Sequence, residues 1–396
     1  MTGSKDVYIV AGARTPIGSF MGCLSKLSAS ELGSVAIAEA LKRADVKPEE
    51  VDEVIMGQIL TSLCGANTAR QAAYRAGIPF TVPAVQVNQL CASGLRAVVL
   101  GSQAIQCGDS KIVVSGGMES MSQSPHAAWL RPGIKMNDTS FQDTMMKDAL
   151  NDPFFGISMG MTAENVAKQC GISRAEQDEF AACSQQKTET GVKKGVFKEE
   201  IVPVTVPDRK CPLTVTEDEF PRSGTTVQTL SKLRPCFETD GTGSVTAGNS
   251  SGINDGAAAV VLMSAAEVVA RGVEPLGRIV SHAMSGIDPR IMGLGPIEAV
   301  RKALLKADWT IDSVDLFEIN EAFAAQSIGV IRELKLDLNK VNVNGGAIAL
   351  GHPVGSSGAR ILVSLLYALK KMAKKRGVAS LCVGGGMGIA ICVERP

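Results

Sequence analysis

The sequence predicts a layered α/β protein built from two duplicated halves with a loop domain inserted between them. Three observations carry this: an internal repeat, helices alternating with short buried strands, and glycine-rich turns where strands end.

The repeat comes first. Residues 38–57 and 301–320 align without gaps at an offset of 263, with Ala40/Ala303, Leu41/Leu304, Ala44/Ala307, Asp45/Asp308, Val51/Val314 and Asp52/Asp315 identical. Each stretch reads as the end of a helix followed by a strand, Val51–Met56 and Val314–Ile319. At an offset of 264, Ser93-Gly94-Leu95-Arg96 matches Ser357-Gly358-Ala359-Arg360, and each opens an amphipathic helix, Leu95–Ile105 and Ile361–Met372. Further on, Ile112–Met118 matches Leu381–Met387, with the glycine-rich turn kept. A period this long marks two duplicated domains, not a solenoid.

Residues about 120–250 have no counterpart in the second half. They are polar, rich in Pro and Gly clusters, with helices predicted over about Thr162–Gln169 and Arg174–Lys193. The apolar run Asn254–Met263 is expected to rejoin the first half as a buried strand. The predicted division is therefore 1–120 for the N-terminal half, completed by about 251–273, then 121–250 for the loop domain and 274–396 for the C-terminal half.

Bulk composition narrows the function classes. The 396 residues carry 40 Lys+Arg against 40 Asp+Glu, so no global charge favours nucleic acid or an anionic membrane. No apolar run reaches the roughly 18 residues of a membrane span. The polar start, Met1–Val7, is expected to be neither a secretory signal nor a transit peptide, and Val393-Glu394-Arg395-Pro396 is no peroxisomal address. A cytoplasmic location is expected. Ten cysteines lie without C-x-x-C pairing beside only three histidines, so a metal site is not expected and the thiols read as reduced.

Chemistry is sought where the two copies differ. Cys91 aligns with Gly355, Asn320 with Gly57 and Cys382 with Val113, while His352 lies in a loop, Gly345–Gly358, without a close match. Each of these side chains ends a strand or starts a helix. Cys91 ends an extended segment and precedes Ala92-Ser93-Gly94, small residues that allow a tight strand-to-helix turn. A thiol there faces the unpaired N–H groups of a helix start, which favour thiolate. His352 has neighbours small enough for close ligand approach, with Pro353 fixing the backbone. His126 and His282 lack such surroundings and are read as structural. Cys382 enters Gly384-Gly385-Gly386, which without a following Lys-Ser/Thr is not a P-loop. Asn320 also suits an ordinary helix cap.

Together these segments resemble the thiolase family from Val7 to the C-terminus. The matching stretches are VNQLCASG (87–94), GGMESMS (116–122), MGMTAENVA (159–167), residues 245–260, NEAFAA (320–325), GGAIALGHPVGSSGAR (345–360) and CVGGGMGIA (382–390). The resemblance implies a five-layered α/β/α/β/α core. It also implies a mechanism: Cys91 takes the acyl group with His352 as base, and Cys382 deprotonates a second acetyl-CoA for Claisen condensation. His352 and a water on Asn320 would stabilise the enolate. The N–H groups of Cys91 and Gly384 would stabilise the tetrahedral oxyanion. For coenzyme A, the resemblance implies Ser251 at the pantetheine arm and Arg222 near the adenine, with Met159 and Phe323 lining the acyl pocket.

Two features bear on substrate. Ser158 stands where many short-chain relatives carry a histidine against the pantetheine region, a departure shared with long-chain degradative relatives. Asp240–Gly243 and the C-terminal third look like cytosolic acetoacetyl-CoA thiolases. The implied activity is acetyl-CoA C-acetyltransferase, acting on acetyl-CoA, acetoacetyl-CoA and CoA without a further cofactor. The alternatives are a broader-chain 3-ketoacyl-CoA thiolase of β-oxidation and, from another class, a non-catalytic lipid-binding relative. A ketoacyl or hydroxymethylglutaryl synthase would lack Cys382. A homo-oligomer, dimer or tetramer, is expected, with the segment Ser124–Phe141 as a tetramer-forming loop.

Overall fold

Two half-sheets meet through a three-residue seam in the computed structural model, which describes residues 5–208 and 210–396. Met1–Ser4, within the polar start considered above, lie outside the described residues.

In the first half, β1 (Val7–Arg14), β2 (Gly18–Ser19), β3 (Glu53–Gly57), β4 (Ala84–Val87) and β5 (Ile112–Ser120) alternate with α1 (Ala29–Arg43), α2 (Thr68–Arg75) and α3 (Ser93–Cys107). The ends of these helices are encoded locally. Ser28 caps α1 in a capping box with Glu31, and Gly108, in the left-handed region at φ 86°, closes α3. The polar segment that follows holds two short ribbons, β6 (His126–Ala127) with β7 (Gln142–Asp143) and β8 (Val204–Val206) with β9 (Leu213–Val215). It also holds α4 (Met159–Gln169), α5 (Arg174–Lys193) and α6 (Val227–Leu230). Helix α4 starts three residues before the predicted Thr162 because Ser158 caps it, accepting from Met161 N–H.

Next, β10 (Asn254–Ser264) pairs antiparallel with both β1 and β5, as the apolar run predicted. After α7 (Ala265–Arg271) the second half runs β11 (Gly277–Gly286), α8 (Gly295–Ala307), β12 (Leu316–Ile319), α9 (Ala324–Leu334), α10 (Ala347–Leu350), α11 (Ser357–Lys371), β13 (Arg376–Val383) and β14 (Met387–Glu394). The main sheet runs β12-β13-β14-β11-β1-β10-β5-β3-β4, with β2 beside β10. Its two halves join only through Val7↔Ile279, Tyr8↔Arg278 and Ile9↔Gly277.

The halves share one wiring. β3 runs parallel to β5, as β12 does to β13, and β10 and β14 each return antiparallel. The identical Asp45 and Asp308 both take the left-handed conformation, at φ 50° and 55°. Asp52 accepts the N–H groups of Lys111 and Ile112, and Asp315 those of Lys375 and Arg376. Each thereby pins the start of a central strand. Where β4 pairs with β3, the second half keeps only a single bridge, Phe317↔Val341.

Helices α3 and α11 lie between the half-sheets, in one core cluster with β10, β13 and β14. A second cluster packs α1 and α2 on the outer face of the first half-sheet, and a third packs α8 and α9 on that of the second. This is the five-layered α/β/α/β/α arrangement. Two repeated glycines let the middle helices touch. A Cβ on Gly94 would lie 2.9 Å from Ala359 N, and one on Gly358 only 2.4 Å from Leu95 N. The N-terminal turns of α3 and α11 therefore meet backbone to backbone, which brings the loops carrying Cys91 and His352 together. No helix among the described residues is long and apolar enough to cross a membrane.

Candidate active site

Leu90 precedes the nucleophile candidate at φ 49°, a left-handed conformation that a leucine rarely adopts. The turn is held by Ala92 N–H on Gln89 O at 3.1 Å and Ser93 N–H on Leu90 O at 2.9 Å. It throws half-buried Cys91 onto the wall of a cavity of about 710 Å³. His352, Ser158, Met159, Ser251, Phe323 and Arg222 line the same cavity. Six candidates spread from Ser158 to His352 along the chain thus join Cys91 around one space.

Gly384, Cys382 and Asn320 stand off that lining. The Gly384 N–H and the N–H of Cys91 itself face the Cys91 sulfur and favour its charged form. A Cβ on Gly384 would come within 3.1 Å of Leu90 Cδ1, so glycine keeps the peptide close to that turn. Cys382, at the end of β13, is buried in a cluster with Phe323, Met292 and Met159. Burial and the nearby Cys91 sulfur push its thiol far up. Asn320 follows β12, tied by its N–H to Ser380 O at 2.9 Å. Its side chain is buried, and neither Oδ1 nor Nδ2 has a partner among the described residues. A buried amide with all its valences open calls for a polar guest.

Electrostatics correct one expectation. The helix start was expected to favour thiolate at Cys91, but burial outweighs it and pushes the thiol up to about 11, with the Glu119 charge adding to the rise. The two N–H groups on the sulfur oppose this without overcoming it. The resting group is a thiol, and reaction needs a base. Burial pushes His352 down to about 3, with the Arg360 charge acting in the same direction, so the imidazole is neutral and able to accept a proton. Its Nδ1 lies 2.5 Å from Ser357 Oγ, and its main-chain N–H donates to Asn254 Oδ1 at 2.8 Å.

The remaining candidates have evident local roles. Ser158 caps α4 while facing the cavity, and Ser251 N–H is tied to Ala322 O at 2.9 Å. Arg222 sits with its guanidinium 5.3 Å from the Phe220 ring centroid and also borders a neighbouring cavity beside α5. His126 is exposed and His282 half-buried, both away from this cavity. Sequence reasoning missed the apolar wall contributed by the loop segment, Met146, Leu150 and Phe237. Apolar residues in an otherwise polar stretch were the available signal. It also passed over Ser357, although the repeat marked its position.

With this geometry in view, comparison with known proteins is direct. The family description Thiolase, N-terminal domain, matches residues 7–266, and Thiolase, C-terminal domain, matches residues 273–395. An acetyl-CoA acetyltransferase of Rhizobium meliloti (strain 1021) is 55% identical over 392 residues, covering 99% of each chain. The cytosolic acetyl-CoA acetyltransferase of Rattus norvegicus is 53% identical over 393 residues, again covering 99% of each. A crystal structure of the Bacillus anthracis acetyl-CoA acetyltransferase superposes with a TM-score of 0.97 at 46% identity, covering 100% of both chains. By family match, full-length identity and fold, the chain belongs to the thiolase family.

Proposed function

We propose that this chain is an acetyl-CoA C-acetyltransferase, interconverting two acetyl-CoA with acetoacetyl-CoA and CoA. The observation that carries the reading is the convergence on Cys91: the Gly384 N–H on its sulfur, Cys382 beside it, and neutral His352 on the same cavity. In the forward direction the Cys91 proton passes to His352 and the thiolate attacks the acetyl carbonyl. Cys91 and Gly384 N–H groups hold the resulting oxyanion. Cys382, protonated at rest, gives its proton to the departing CoA sulfur, and its thiolate then takes a proton from the methyl of the second acetyl-CoA. Protonated His352, with a water on Asn320, holds the enolate oxygen. The carbanion attacks acetyl-Cys91, and the released Cys91 thiolate recovers its proton from His352. Every proton borrowed is returned except the methyl proton, which stays on Cys382 to replace the one given to CoA.

Ser251, Arg222, Ser158, Met159 and Phe323 are read as the coenzyme A and acyl contacts, supported by their places around the cavity. The reading uses coenzyme A thioesters and no resident cofactor. Residues 121–250 are read as a loop domain closing over the site. Exposed Trp129, Met136 and Phe141 support the reading of Ser124–Phe141 as a contact in a homo-oligomer. A cytoplasmic location is supported by the cytosolic rat relative.

Brief exposure to acetyl-CoA followed by peptide mass analysis should find acetyl on the Cys91 peptide; acetyl elsewhere would refute the nucleophile. Thiolysis of acetoacetyl-CoA should be faster than that of C8 or C16 3-ketoacyl-CoA. The opposite order would leave a thiolase of longer-chain preference.

A further inference from the structure

We propose that Ser357 is a positioning residue that holds His352 in the Nδ1-protonated form, leaving Nε2 free to receive the Cys91 proton. This deepens the reading of His352 as base and rests on it. Ser357 is fully buried on the first turn of α11, with its Oγ 2.5 Å from His352 Nδ1 and 2.9 Å from Pro353 O. A hydroxyl carries one proton. Pro353 O can only accept, so when the Ser357 proton goes there, its lone pair faces Nδ1 and that nitrogen must carry hydrogen. If the proton went to Nδ1 instead, Nε2 would hold the ring hydrogen and could not take another from Cys91.

The first half of the molecule indicates which arrangement the motif adopts. Ser93, 264 residues earlier in the repeat, donates to Leu90 O at 2.6 Å and accepts the Gln89 main-chain N–H at 2.9 Å. A main-chain amide can only donate, so the direction at Ser93 is fixed: hydroxyl proton to the carbonyl of the preceding turn, lone pair toward the incoming N–H. Ser357 holds the matching position, and its Oγ also faces a carbonyl of the preceding turn, Pro353 O four residues back where Ser93 reaches Leu90 O three back; its second partner is the His352 ring in place of a main-chain N–H. The same hydrogen-bond direction gives Nδ1–H donating to Ser357 Oγ. Asn254 anchors the other side, taking the His352 main-chain N–H and donating Nδ2 to Gly18 O at 3.0 Å, so the backbone that carries the ring is fixed. This serine also stabilises the protonated imidazole formed in the reaction, since both ring nitrogens then donate.

The chain has three histidines, so ring nitrogens labelled with 15N can be assigned with His126→Gln and His282→Gln variants. In the wild-type protein at neutral pH, solid-state spectra should show His352 with a protonated Nδ1 and a bare Nε2; the reverse pattern overturns the inference. In S357A, kcat for acetoacetyl-CoA thiolysis should fall by about 100-fold with KM held within about threefold, and S357T should recover most of the loss. An S357A enzyme within threefold of wild-type kcat would equally overturn it. Where that variant fails to fold, the wild-type spectrum decides. An H352A protein acetylated on Cys91 at the wild-type rate would instead remove the reading of His352 as base, whichever nitrogen carries hydrogen.

Discussion

At the start of α3, the Ser93 hydroxyl bridges Leu90 O and the Gln89 N–H; at the start of α11, Ser357 bridges Pro353 O and the His352 ring. The framework is the same and the guest differs. Likewise Asp52 and Asp315 pin their strands identically, yet the strand ends beside them carry Gly57 in one copy and Asn320 in the other. Space explains that difference. A Cβ on Gly57 would lie 2.4 Å from the Ser93 carbonyl carbon, so the first copy has no room for a side chain there. The comparison teaches that duplicated turns supply rigid positions, and that reactive groups occupy whichever copy leaves them room.

The largest effects should come from separating the roles of the two thiols. C91A should lose at least about 10⁴-fold in turnover and take up no acetyl group. C382A should lose a comparable factor in condensation while its Cys91 still accumulates acetyl from acetyl-CoA, more slowly because the departing CoA sulfur lacks that proton donor, read by intact mass. Equal loss of acetylation in C382A would break the division of labour between the halves.

The helix contact should discriminate next. G358A should cost about 3 kcal/mol of stability and G94A nearer 1, because the first forces a methyl toward a main-chain nitrogen 2.4 Å away and the second one 2.9 Å away. Urea midpoints measure this, and equal losses would show that the seam relaxes symmetrically. S93A should fall within the same range, about 1 kcal/mol or a little more, by stranding the Gln89 N–H, seen in the same urea titration. Paired with S357A, it asks whether one motif serves stability in one copy and chemistry in the other.

Much of this was legible in the chain. The offset matches located both half-sheets, and the differences between copies pointed to Cys91, Asn320, Cys382 and the His352 loop. Helix α4 began earlier than predicted because the cap at Ser158 was not read. The balance at Cys91 between the helix start and burial was not legible in the sequence. A helix start can be seen in sequence, but desolvation depends on everything packed around the sulfur once the chain has folded.

The sequence by itself determined the duplicated architecture, the thiolase resemblance and the reactive residue types, because these depend on local periodicity, turn chemistry and matches along one chain. Only the tertiary structure decided that α3 and α11 meet at Gly94 and Gly358, that Gly384 reaches the Cys91 sulfur, and that Ser357 faces His352 Nδ1. Those contacts join segments distant in the chain, and their chemistry is set by burial and by hydrogen-bond direction, which exist only once the halves have packed.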